Sequence, residues 1–143
     1  GKKVAGIFVD GGGLGLGPIS ILRRLGYNPI DVGFGTKSSN NKYRLKMDQI
    51  WGDMRDGLSS LCLPLNDEKL VSQLTQREYG INDRGQIALE SKKQMRARGA
   101  ESPDIADALA LTYYSELSYE LPRMLEEYSQ NNNWDYSPLD YKL

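Results

Sequence analysis

At 143 residues and 16.1 kDa, the chain has room for one domain and is too short for two ordinary ones. Its 39% hydrophobic and 26% charged residues imply a modest core under a well-solvated surface. There is neither an apolar run near the ~20 residues a membrane span needs nor a signal peptide. One cysteine, Cys62, and no histidine exclude an internal disulfide, a cysteine-rich or histidine zinc site, a Ser-His-Asp triad and a Cys-His pair. Acid–base or metal chemistry therefore falls to carboxylates, lysines and tyrosines.

Charge is uneven along the chain. Residues 116–143 hold six acids against Arg123 and Lys142, a net of −4, which leaves +3 for residues 1–115 out of the total of −1. Arg84 to Arg98 carries five bases and one acid, Glu90. Such a stretch permits a polyanionic partner, and it equally suits a solvated helix face.

In chain order, Val4 to Val9 is a short β-branched apolar run that predicts a buried strand. It ends at Asp10 and enters the glycine-rich segment Gly11 to Gly17. Pro18 suits the first turn of a helix, because its missing N–H would have no partner there. That helix is expected to reach Arg24 and stop at Gly26. Ile30 to Phe34 reads as a second strand, so the unit β-loop-α-β favours a parallel pair. After a polar loop over 36–41, Met47, Ile50, Trp51, Met54 and Leu58 recur at helical spacing, predicting a helix from about Lys42 to Asp56. Leu61 to Leu65, around Pro64, suggests an edge strand. Asn66 is the expected N-cap of a further helix with Leu70, Val71 and Leu74 as its buried stripe. Asn82-Asp83-Arg84-Gly85 predicts a hairpin turn. A basic helix over Ser91 to Arg98, closed by Gly99, follows. Ser102-Pro103 then reads as N-cap plus first helical residue of a last helix running to about Ser118. Residues 119–143 are expected to form an acidic, loosely ordered tail.

Three carboxylates stand out. Asp10 lies at the carboxyl end of a strand, where open α/β sheets place ligands. Asp104 and Asp107 are three apart on the last helix and project from one face. Brought together, the three acids would repel one another unless a cation neutralised them, and Mg²⁺ or Mn²⁺ is the natural occupant of an all-oxygen set. In isolation the helix pair is better explained more simply, with Asp104 meeting the helix N-terminus and Asp107 solvated. Lys92, Lys93, Arg96 and Arg98 could engage phosphates or merely flank an exposed helix. The glycine loop invites a dinucleotide-binding reading, but Leu16 stands where the third glycine belongs, and no P-loop Gly-Lys-Ser/Thr occurs. Trp51 and its neighbouring methionines read as core, and Cys62 as buried and inert.

Together these pieces resemble a known family. Asp10 with its glycine loop, then Leu89-Glu90-Ser91-Lys92-Lys93, Arg98-Gly99 and Ser102-Pro103-Asp104-Ile105-Ala106-Asp107-Ala108-Leu109, look like the nuclease domain of tailed-bacteriophage terminase large subunits over about residues 4–114. The Ser-Pro-Asp-x-Ala-Asp-Ala-Leu block is the specific part. The last helix also resembles that of Holliday-junction resolvases, which share the ribonuclease H-like fold.

The resemblance implies an α/β, ribonuclease H-like mixed sheet flanked by helices, with the nuclease-like portion at 1–118 and the tail at 119–143. The family's opening three-strand meander, which carries its first catalytic aspartate, has no counterpart in this sequence, so the fold is expected to lack the N-terminal strands. The implied activity is two-metal endonucleolytic cleavage of concatemeric double-stranded viral DNA during packaging, with one ion activating water and the other stabilising the leaving oxygen. By position, Asp10 is the strand-end metal ligand, Asp104 the helix ligand, and Asp107 a second ligand or its support. Lys92, Lys93, Arg96 and Arg98 are the implied DNA contacts. Two Mg²⁺ or Mn²⁺ ions are the implied cofactors; the portal or procapsid and the small terminase subunit are further partners. The implied location is the host cytoplasm and, transiently, the procapsid. Two other readings stay open: a resolvase-like nuclease, and a non-catalytic fragment whose tail, with Trp134, Tyr136 and Tyr141, docks on portal or capsid.

Overall fold

In the computed structural model, residues 6–12, 15–61, 63 and 66–114 are described. The expectations for Cys62, for a strand centred on Pro64 and for the acidic tail lie outside them. The apolar run does form a strand, β1 (Ile7–Asp10), paired in parallel with β2 (Pro29–Val32) in the register Ile7↔Pro29 to Asp10↔Val32. The intervening helix, α1 (Leu16–Arg24), has Pro18 in its first turn and ends in a reversal at Gly26, where φ is 85°. A side chain at Gly15 would place its Cβ 1.7 Å from the Asp10 carbonyl oxygen. The chain can therefore fold back on the strand end only with glycine there.

The other elements are α2 (Lys46–Gly57), a 3₁₀ turn over Leu58–Ser60, α3 (Glu68–Gln76), a hairpin of β3 (Tyr79–Ile81) and β4 (Ile87–Leu89), α4 (Lys92–Ala97) and α5 (Asp104–Leu111). Among the described residues the architecture is mixed α/β with five helices and two separate two-stranded sheets, one parallel and one antiparallel. It is not the one mixed sheet expected, because β3 and β4 bond to each other and to the 42–45 loop: Arg44 N–H donates to the Ile87 carbonyl, and Ile87 N–H to that of Lys42. No described helix is long and apolar enough to cross a membrane.

The core joins Val32 of the parallel sheet and Phe34 in the turn after it to Ile50, Trp51 and Met54 of α2, Leu70 of α3, and Ala106 and Ala110 of α5. Alanines on α5 let it lie close against both α2 and α3, and it also touches β1. Trp51 is core, as read from the sequence.

Several boundaries differ from expectation. Helix α2 starts at Lys46, because residues 42–45 are drawn out against β4. Leu61 and Leu63 are not in a strand. The N-cap of α3 is Asp67, whose carboxylate accepts from Leu70 N–H at 2.9 Å, and not Asn66. Val71 is exposed while Gln73 is buried, so the inward stripe of α3 includes a polar residue. Within the described residues, α5 ends at Leu111 and turns through Thr112 and Tyr113. Ser102 does not cap it: Pro103 is the N-cap residue, and Ser102 Oγ donates instead to Asp104 Oδ1 at 2.7 Å.

Candidate functional site

The start of α5 has free N–H groups, as every helix does. Here they are met from another helix: Gln73 Oε1, on α3, accepts from Ile105 N–H at 2.8 Å and Ala106 N–H at 3.1 Å. This fixes the first turn of α5 and with it the direction of its acids. Asp107 faces inward, with its side chain 8% exposed, whereas Asp104 is 72% exposed.

Around Asp107 the groups are close. Oδ1 accepts from Trp51 Nε1 at 2.9 Å and from Arg77 Nη1 at 2.8 Å. The Arg77 side chain is fully buried; its guanidinium lies 4.7 Å from the Trp51 ring centre and donates to the Glu90 carbonyl. Burial holds the Arg77 pKa below its ordinary value, partly offset by Asp107. Such a pair persists in a dry interior because both members are hydrogen-bonded as well as charged.

Lys92 joins the two acids. Ser91 caps α4 in a reciprocal box with Gln94: Ser91 Oγ accepts from Gln94 N–H and Gln94 Oε1 accepts from Ser91 N–H. This sets Lys92 in the first turn, where its ammonium lies 2.9 Å from Asp104 Oδ1 and 2.8 Å from Asp107 Oδ2. Lys92 bonding first, and Ser102 second, holds the Asp104 carboxyl below its ordinary range. For Lys92, burial opposes the charged form, but bonding to the two carboxylates outweighs it and the pKa is raised.

Asp10 stands where predicted, half-buried at the end of β1, with Oδ1 accepting from Gly12 N–H at 3.0 Å. Beside it Asp31, from β2, leans over Gly11, where a Cβ would come within 1.9 Å of Asp31 Oδ1. Asp104 and Asp107 are brought together through Lys92, but Asp10 is not gathered with them: among the described residues no three acids or cysteines are grouped so as to hold a metal ion. With Lys92 and Arg77 answering the charge of the helix pair, the residues as arranged do not fit a divalent cation.

The expected DNA contacts divide. Lys93 and Arg96 are exposed on α4. Arg98 is engaged, with Nε and Nη2 each 2.8 Å from a Glu90 carboxylate oxygen and Nη2 also donating to the Gln76 carbonyl. The reading from sequence passed over Arg77 and Asp31, and gave Glu90 no role beyond its place in the Leu89-to-Lys93 motif. Nothing local marks Arg77, since its carboxylate partner lies thirty residues on.

No protein-family model, curated protein or solved structure matches this chain.

Proposed function

We propose that this chain forms part of a DNA-cleaving domain of the terminase large-subunit kind, acting on double-stranded DNA by Mg²⁺- or Mn²⁺-dependent phosphodiester hydrolysis. The observation that carries the reading is the packing of α5 against β1. From Asp104 onward, the Ser102-to-Leu109 block that resembles the family is helix, in contact with the strand that ends in Asp10 and with Asp104 turned toward solvent beside Lys92. The resemblance assigns Asp10 and Asp104 to the reaction and Asp107 to their support, although the structure does not gather Asp10 with the other two. Exposed Lys93 and Arg96 supply cation to the phosphate backbone, where charge rather than base contact sets affinity. Contacts with a portal, a procapsid or a small terminase subunit belong to the same reading.

Nicking of supercoiled plasmid tests it, comparing the chain with Asp10→Ala and Asp104→Ala in Mn²⁺, Mg²⁺ or EDTA. The expected result is cutting that needs the metal and disappears in both variants. Cutting that survives both substitutions, or no binding to duplex DNA at low salt, would overturn the reading.

A further inference from the structure

The geometry points to the outer edge of β3 as a surface on which a second copy of this chain pairs, β3 against β3 in antiparallel sense, with the two-fold axis at Gly80. The ladder decides which groups face outward. Glu90 N–H donates to the Glu78 carbonyl and Asn82 N–H to that of Gln86, each at 2.9 Å. Bonded and non-bonded pairs alternate in an antiparallel ladder. Tyr79 and Ile81, opposite Leu89 and Ile87, therefore turn their N–H and carbonyl groups away from β4. The phase agrees on the other strand, where Ile87 bonds Lys42 and Arg44 on the side away from β3. The outer side is open: Tyr79 and Ile81 are 62% and 64% exposed, and a Cβ at Gly80 would meet nothing within 4 Å. Neither a charge nor a proline, the usual guards of a sheet edge, lies within the strand.

The edge is complementary to itself. With Gly80 opposite Gly80, each Tyr79 stands opposite the partner's Ile81, and the outward N–H and carbonyl groups of one copy satisfy those of the other. Tyr79 and Ile81 share a face with half-buried Leu89 and Ile87, so an apolar row with aromatic and β-branched neighbours runs unbroken across the joined hairpins. The axis falls on a non-hydrogen-bonded pair, where backbones come closest and glycine leaves room. Charge agrees as well. The turn of one copy lies at the start of β3 of the other, bringing exposed Arg84 beside the exposed Glu78 it meets there; Arg84 forms no ion pair with any described residue of its own chain. The strip is short, so the pairing is weak and concentration-dependent. It requires neither DNA nor cleavage.

The test uses the full chain in a Cys62→Ser background carrying Tyr79→Cys, Gly80→Cys or Ile81→Cys, mildly oxidised with diamide and read as dimer on a non-reducing gel. Gly80→Cys is expected to give at least about tenfold more linked dimer than either neighbour. Its Cα stands ~4.5 Å from its own copy across the axis, whereas Tyr79 and Ile81 lie ~7–8 Å from theirs, beyond disulfide reach. Sedimentation velocity on the wild type, up to about 1 mM, is the second measurement. The coefficient should rise with concentration; Ile81→Lys and Glu78→Arg should each suppress the rise, and Glu78→Arg/Arg84→Glu should restore it. Equal linking at all three positions would mean random collision and overturn the proposal, as would association that Ile81→Lys leaves unchanged. So would a wild type that stays monomeric throughout, which would leave this edge to an extended segment of another protein.

Discussion

Asp107 and Asp104 are the same residue type three positions apart, yet their energetics differ. Asp104 meets Lys92 at the surface, where water screens the pair and its worth is small. Asp107 sits in a dry pocket with Trp51 and Arg77, and removing its charge would strand a buried guanidinium. Asp107→Asn keeps an acceptor for the indole N–H but not the counter-charge. It should destabilise the chain by about 3 kcal/mol, seen as a lower urea midpoint with an unchanged slope. A loss no larger than that of Asp104→Asn would show that Arg77 finds other compensation. The spacing of the two acids was legible in the sequence because helical geometry is local. Which of them turns inward was not, since that depends on Trp51 and Arg77, which precede it by 56 and 30 positions.

Helices and turns follow the same division. The reversals at Gly26, Gly85 and Gly99 and the hairpin around Asn82 to Gly85 lie within a few residues of their causes and form as read; the box Ser91 to Gln94 is as local, but the sequence reading placed Ser91 inside the helix and did not name it. Each glycine has φ between 72° and 85°, a conformation in which a side chain meets the backbone. Helix α5 is different, because its first N–H groups are served by Gln73 from α3. Ser102, correctly placed by type, turns to Asp104 instead. Gln73→Ala should therefore cost about 2 kcal/mol by leaving two N–H groups without their acceptor, whereas Ser102→Ala should cost far less. Thermal unfolding of the two variants checks the ranking, and the reverse order would mean that Ser102 holds the helix start after all. The inward Gln73 also explains why the expected stripe of α3 was only partly right: a polar side chain is buried there because it has two donors to satisfy.

Across the whole molecule, charge neutralised internally must be separated from charge available to a partner. Arg77 and Lys92 answer Asp107, and Arg98 grips Glu90, so two of the five bases between Arg84 and Arg98 are already committed. Lys93 and Arg96 remain exposed on α4. If the chain binds duplex DNA as proposed, Lys93→Ala/Arg96→Ala should weaken binding about equally for unrelated sequences. It should also reduce the slope of log affinity against log salt by about 2, one for each phosphate that is no longer neutralised. Fluorescence anisotropy over a salt series measures this, and an unchanged slope would remove these residues from the interface. Arg98→Ala, by contrast, should act mainly on the junction of α3 with α4, because its guanidinium bonds the Gln76 carbonyl and Glu90.

By itself the sequence determined the local elements: a parallel strand pair around a glycine turn, an amphipathic α2, a hairpin, a capped basic helix and a last helix bearing two acids. Each depends on periodicity, capping or turn chemistry within about one helical turn. Tertiary structure alone decided that the strands make two sheets, that Gln73 caps α5, and that Lys92 rather than Asp10 stands between the helix acids. These outcomes depend on where buried charges and free N–H groups find partners, and those partners lie far along the chain.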